Sequence, residues 1–185
     1  MSTGRINRIC LTQRSDIEFV VQSHHYGEDS SIKDADEHLL QIPEVRVLHG
    51  TLPPIEYALE TSRVDIILLP YDPEVFGSRG SGLFAESVSA GRLIVAARGT
   101  WAAQNVDNGE AIGEVFDSYD STGLAKAILR VCEKAPVLLP QALRKASGFA
   151  KAHSIDTYVD RILALAAQVC LSMHPAKSGG LIEGR

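Results

Sequence analysis

Positive charge, cysteine and long apolar runs are all scarce in this chain, and each scarcity removes a class of function. Its 185 residues carry 18 Lys and Arg against 23 Asp and Glu, a net charge of −5. That balance supplies no electrostatic footprint for nucleic acid or an anionic membrane surface. Cysteine occurs three times, as Cys10, Cys132 and Cys170. An odd number at wide spacing excludes a disulfide framework and gives no zinc-ligand pattern, so no metal is expected. All three fall in segments that read as helices, where a thiol is most often a small buried hydrophobe. A reducing, cytoplasmic setting follows as the expectation. The best apolar run, Ile162–Leu171, is interrupted by Gln168. It is far short of the ~20 residues a membrane-spanning helix needs. No secretory leader is visible, and no transmembrane segment is expected.

What the chain does have is 45% hydrophobic residues, enough for a substantial core. Its length fits one domain, expected over residues 1–176. Residues 177–185 are set aside as an added tail, because Ile182–Arg185 reads IEGR behind a flexible Ser-Gly-Gly. IEGR is a cleavage sequence of the kind engineered into expression vectors.

Apolar periodicity then divides the domain into alternating strands and helices. A short helix over Arg5–Gln13 precedes a strand at Ile17–Val21 and a polar loop, Gln22–Ser31, holding His24, His25 and Tyr26. Adjacent histidines point in different directions, so the pair reads as loop residues before it reads as a metal site. Lys33–Gln41 is a helix, Val45–His49 a strand, and Pro53-Pro54 opens a helix running to about Ser62. Val64–Leu69 and Leu93–Ala97 are strands, with a helix to about Ala90 between them that Gly91 ends. A short helix follows Trp101 to Val106, then a strand at Ile112–Phe116. Helices at Ser121–Lys134, Gln141–Ala152 and Ile155–Met173 complete the chain, with a break predicted over Pro136–Pro140. Strands alternating with helices through short connections imply an α/β fold: a parallel sheet with helices on both faces, Rossmann-like, with helices at the C-terminal end. Ligands on such sheets lie at the C-terminal strand ends. Four loops are expected to meet there: His24–Gly27, His49–Leu52, Tyr71–Gly82 and Arg98–Trp101.

The stretch Val64–Gly91 dominates this edge. A buried strand runs into a long glycine-bearing loop, then into a helix opening at Ser81-Gly82. Glycines allow backbone to approach an anion, and the first helical N–H groups offer free donors and the positive end of the dipole. GSGLFA at Gly80–Ala85 matches a dinucleotide fingerprint, but about nine residues separate Pro70 from Gly80 and the next strand ends in Arg98 instead of an acid. The glycines therefore support a phosphate-proximal helix start, against a competing reading in which they serve only a tight turn and close packing. Glu86 lies one turn below Gly82 on the same face. There it can accept two hydrogen bonds from a ribose cis-diol, or simply favour the helix dipole. Arg79 can pair a diphosphate or be solvated. Trp101 can stack a base, although anchoring its helix is the plainer role. A hydrolytic carboxylate pair drawn from Asp72, Glu74 and Glu86 sits poorly on so small a parallel sheet.

Over Val45 to about Ile162 the chain resembles the C-terminal, donor-binding half of GT-B glycosyltransferases of the large retaining family 4. The resemblance rests on VRVLHG, the PPIEYALETS helix, VDIILLPYDPE, GLFAESVSAGRLIVAA, DNGEAIGEVF and the closing helices. It implies one half of a GT-B fold that takes a nucleotide-sugar as donor substrate and uses no separate cofactor. By the family pattern Glu86 binds the donor ribose, and the helix start at Ser81, Gly82 and Leu83 binds the diphosphate through backbone N–H groups, with Arg79 beside it. Gly50, Thr51 and Leu52 match the turn that touches the base. The motif position that contacts the transferred sugar falls on Ser78 by spacing from Glu86, and on Glu74 by spacing from the strand proline. The family's opening strand, its pyrophosphate-clamping Arg…Lys pair and its N-terminal acceptor domain have no counterpart here. A fragment with absent or weak transfer activity is thus implied, along with exposed surface and self-association. Two other readings stay open. One is a non-catalytic doubly wound domain that binds a partner protein; the other is an NADP-binding domain using Arg98.

Overall fold

The computed structural model describes residues 6, 9–24 and 30–173. The predicted His25–Gly27 part of the first loop, most of the Arg5–Gln13 segment's N-terminal half and the 177–185 tail lie outside the described residues. By internal contacts the chain forms two compact units, Met1–Phe149 and Ala150–Arg185.

The larger unit is built around β4 (Leu93–Ala97), whose five residues are all buried. It is the middle strand of a parallel three-stranded sheet, between β3 (Ile66–Leu69) and β5 (Gly113–Phe116). Ile66 pairs with Leu93 and Leu69 with Ala96, while Ile94 pairs with Gly113 and Ala97 with Phe116. A strand covered on both faces needs a continuous apolar run, which LIVAA supplies. Alternate side chains then serve two different cores. Leu93, Val95 and Ala97 join Phe116, Leu124, Ile128 and Val131 on one face. Ile94 and Ala96 join Leu69, Phe84, Val88, Ala102 and Ala103 on the other. Gly113 is obligatory in this register, since a Cβ there would lie 1.8 Å from the Ile94 carbonyl oxygen.

A second parallel ladder joins β1 (Phe19–Ser23) to β2 (Val45–His49), with Phe19 opposite Val45. No ladder among the described residues connects it to β3–β4–β5. Its inward residues Phe19 and Val45 nonetheless pack in the same cluster as Leu93 and Val95, with Cys10 and Leu39. The helices are α1 (Ser30–Leu40), α2 (Pro54–Arg63), α3 (Pro73–Phe76), α4 (Gly82–Ser89), α5 (Trp101–Asp107) and α6 (Ser121–Ala152). The arrangement is the expected Rossmann-like α/β fold, with helices against both faces of the sheet.

Three local predictions are corrected. The first strand begins at Phe19 instead of Ile17 and reaches Ser23. The loop after β3 contains the short helix α3, because Asp72 caps it by accepting from the Glu74 amide at 2.9 Å and Pro73 has the φ that a first helical position needs. The predicted break at Pro136–Pro140 is not a break: both prolines lie inside the single helix α6. Each costs a helix about 3 kcal/mol by removing an N–H and crowding the carbonyl four residues back. Burial on both sides offsets this, with Leu124, Ala127, Ile128 and Val131 before the prolines and Ala142, Ala146 and Phe149 after them.

The smaller unit carries α7 (Ile155–Met173). Its Ile155, Tyr158, Leu163 and Leu165 are each more than half exposed. Among the described residues no helix is long and apolar enough to cross a membrane.

Candidate functional site at the strand ends

Each crossover from a strand to its helix leaves a loop at the C-terminal edge, and contacts gather these loops in two groups. In the first, the Gly50 amide donates to the Ser23 carbonyl at 2.8 Å. Gln22 Nε2 donates to the Gly50 carbonyl at 3.1 Å. Thr51 Oγ1 lies 3.4 Å from His24 Nδ1. Gly50 has φ +79°, the left-handed turn that lets the chain double back after β2. Leu52 is half-buried behind it. His49 Nδ1 lies 3.6 Å from the Asp36 carboxylate.

The second group joins the ends of β3, β4 and β5. Tyr119 donates to the Pro70 carbonyl at 3.1 Å. A Cβ on Gly77 would lie 3.1 Å from the Pro73 carbonyl oxygen, and one on Gly99 would lie 3.2 Å from Pro73 Cβ. The loop from Tyr71 to Ser81 is therefore folded back on itself and held against the β4 turn.

At the far end of this loop, Ser81 is the N-cap of α4 and its Oγ accepts from the Phe84 amide at 3.1 Å. Tyr71 Oη lies 3.1 Å from the same Ser81 Oγ. The amides of Gly82 and Leu83, the first of the helix, have no acceptor among the described residues. Gly80 and Gly82 lack positive φ, and a Cβ on either would meet nothing within 4 Å. Neither a tight turn nor close packing therefore demands glycine at these two positions. The predicted mouth is an open one, with bare backbone and two free donors.

Glu86 is exposed one turn along α4. The Tyr57 phenol of α2 faces it. Burial, then the Glu86 carboxylate's charge and hydrogen bond, push the Tyr57 phenol above its ordinary pKa. Tyr71 is near enough to Tyr57 to add to that shift. Glu86, Tyr57, Tyr71 and Ser81 thus form one polar cluster at the mouth. Arg79 places its guanidinium 5.3 Å from the centroid of the Phe76 ring, and Phe76 stacks on Tyr71 at 4.4 Å and 21°. Glu74 and Ser78 are both exposed in the same loop.

Two other sequence candidates take structural roles. Trp101 packs edge-on against Phe84 with centroids 5.0 Å apart, which anchors α5 to α4. Arg98 is held by two carboxylates, with Nη1 on Asp107 and Nε on Asp117 at 2.9 Å. The free cation that an NADP 2′-phosphate would require at Arg98 is therefore engaged. Among the described residues no group of three or more His, Cys, Asp and Glu side chains is placed to hold a metal.

Sequence reasoning missed Tyr57, Tyr71, Phe76 and Tyr119. The position of Tyr71 directly after a strand-ending proline, on the edge where ligands sit, was the available signal. Tyr57 offered none beyond its place in the first turn of a helix that leaves the same edge.

No family model and no curated protein matches the chain. Solved structures do. HepE of Anabaena, in complex with UDP and glucose, superposes with a TM-score of 0.66 at 16% identity, over 89% of this chain and 44% of its own. An α,α-trehalose-phosphate synthase (UDP-forming) of Burkholderia xenovorans, in complex with glucose-6-phosphate, gives 0.54 at 14% identity, over 88% and 40%. The chain spans less than half the length of either. At these identities the likeness is one of fold, a GT-B-like α/β domain.

Proposed function

We propose that the chain is the donor-binding domain of a retaining, family 4-type glycosyltransferase, which holds a nucleotide-sugar over the N-terminus of α4. The observation that carries this reading is the pair of unpartnered amides at Gly82 and Leu83, beside glycines the fold itself does not need. In the proposed complex those amides and the helix dipole hold the diphosphate. Glu86 accepts both hydroxyls of the ribose. Arg79 adds a cation, Thr51 and Leu52 border the base, and Glu74 or Ser78 contacts the sugar. The donor is a substrate, and no separate cofactor takes part.

The acceptor is bound by a separate domain, a reading supported by the chain's spanning 44% of the HepE structure. Chemistry is then shared across a cleft, so residues 1–185 alone bind donor and transfer sugar weakly or not at all. Isothermal titration with UDP, GDP and ADP tests this. The expected result is preference for one nucleotide and a loss of roughly tenfold or more with Glu86→Ala, as for a lost hydrogen-bonded charge. Equal, Glu86-independent signals for all three would overturn it.

The exposed apolar residues of α7 favour a second property, association through that helix, in a second copy or a partner protein. Gel filtration giving a strict monomer, with no complex on adding candidate partners, would remove it.

A further inference from the structure

The loop between β3 and α4 runs from Pro70 to Ser81 and ends in two Gly-Ser pairs, Gly77-Ser78 and Gly80-Ser81, on either side of Arg79. Such composition ordinarily gives a loose segment, and Arg79 would then have to be ordered by whatever it binds. Three contacts say otherwise. Tyr71, at the loop's start, bonds at 3.1 Å to Ser81, at its end. The Tyr71 ring stacks on Phe76 from the short helix inside the loop. The guanidinium of Arg79 lies against that same ring at 5.3 Å. Among the described residues Arg79 has no carboxylate partner, whereas Arg98 on the neighbouring turn has two. An arginine left without an acid, yet placed by a ring, keeps its charge available at little further ordering cost.

The geometry points to Tyr71 and Phe76 as positioning residues, a stacked platform that holds the Arg79 guanidinium two residues before the Ser81 cap to receive a ligand diphosphate. This rests on the nucleotide-sugar reading and deepens it, since it assigns a cation and its supports to the part of the ligand that the α4 amides meet. Tyr71 also couples the platform to the cap, because its hydroxyl shares Ser81 Oγ with the Phe84 amide. The loop is thereby one preorganised piece, closed at its neck by a single hydrogen bond.

The test uses the chain with UDP and with uridine as probes. Phe76→Leu is expected to weaken UDP binding about threefold, the scale of an exposed cation–π contact, with uridine binding unchanged. Arg79→Ala should weaken UDP about tenfold, as loss of a charge-assisted contact does. In the Arg79→Ala background Phe76→Leu should have no further effect, and Phe76→Trp should restore the wild-type affinity in the Arg79 chain. Equal losses for UDP and uridine, or a Phe76→Leu loss that persists without Arg79, would overturn the positioning role. A ligand-free measurement separates this from the reading beneath it. The δ-protons of Arg79 should show an upfield ring-current shift that Phe76→Leu abolishes. If that shift is present and no nucleoside diphosphate binds, the nucleotide-sugar reading fails and takes the role of Arg79 with it. If UDP binds and the shift is absent, only the platform fails.

Discussion

Two adjacent crossovers, β3 to α4 and β4 to α5, are written with the same parts and put them to opposite uses. Both leave a parallel strand, both contain an arginine and a glycine, and both end in a hydroxyl N-cap, Ser81 or Thr100. In the β4 turn the cap and the tryptophan anchor face inward, and the exposed arginine is paired. Thr100 is fully buried, donates to the Ala97 carbonyl at 2.7 Å and accepts from the Ala103 amide at 3.2 Å. Gly99 takes φ +86° against Pro73, Arg98 is neutralised by Asp107 and Asp117, and Trp101 packs on Phe84. In the β3 turn the cap is half-buried, Gly80 and Gly82 face open space, and the arginine lies on a ring with no carboxylate partner among the described residues, while the first two helical amides lack an acceptor in both turns. A strand-to-helix turn whose cap, glycine and arginine are all engaged internally stabilises the fold. One whose glycines and arginine have no such partners is the turn proposed to bind the ligand.

The comparison can be broken most severely where the two turns meet. Phe84 is fully buried between Trp101 and Phe149. Phe84→Ala should cost about 3–5 kcal/mol in denaturant unfolding, because it empties the contact that joins α4 to α5. Next come the two caps. Thr100→Val should lose about 1–2 kcal/mol of stability and leave nucleotide affinity unchanged in any chain that stays folded, whereas Ser81→Ala should lose about 1 kcal/mol or less and weaken UDP binding as well.

The glycines sharpen the contrast further. Gly99→Ala should destabilise by roughly 1 kcal/mol or more, since it must adopt positive φ with Pro73 at close range. Gly82→Ala should leave melting unchanged within about 0.5 kcal/mol, because its Cβ meets nothing, yet reduce UDP affinity. Equal thermal penalties at both glycines would erase the distinction.

The smallest effect is spectroscopic. Tyr57 holds its proton above the ordinary phenol range, first through burial and then through Glu86. Its folded-state pKa being raised, the stability it contributes is present below the unfolded value and is lost as pH rises through the folded one. Absorbance titration of phenolate should find Tyr57 and Tyr119 late, Tyr119 through burial and Asp72, and Glu86→Gln should bring Tyr57 alone part of the way back, since burial remains. A titration unchanged by Glu86→Gln would detach Tyr57 from the site.

Much of this was legible in the residues. LIVAA announced a strand covered on both faces, Gly91 marked the end of α4 with φ +70°, and Ser81-Gly82 marked its beginning. These are local signals that tertiary context had only to accept. The proline pair in α6 was not legible, because what keeps that helix whole is burial of residues on either side, a property of packing. The helix α3 was hidden for the opposite reason. It is too short to have periodicity, and only its Asp72-Pro73 start betrays it. Glu86 and Arg79 could be singled out as chemistry, but Tyr57 and Phe76 could not. Their importance lies in which charged group each one touches across the fold, and spacing along the chain carries no such information.

The central claim is that the opening of α4 receives a diphosphate. An amide-resolved NMR titration with UDP measures this most directly. The account predicts that the Gly82 and Leu83 amides shift most and saturably, with smaller changes at Glu86 and none at the Thr100–Ala103 cap. Saturable binding that leaves Gly82 and Leu83 unmoved while other amides shift would contradict it.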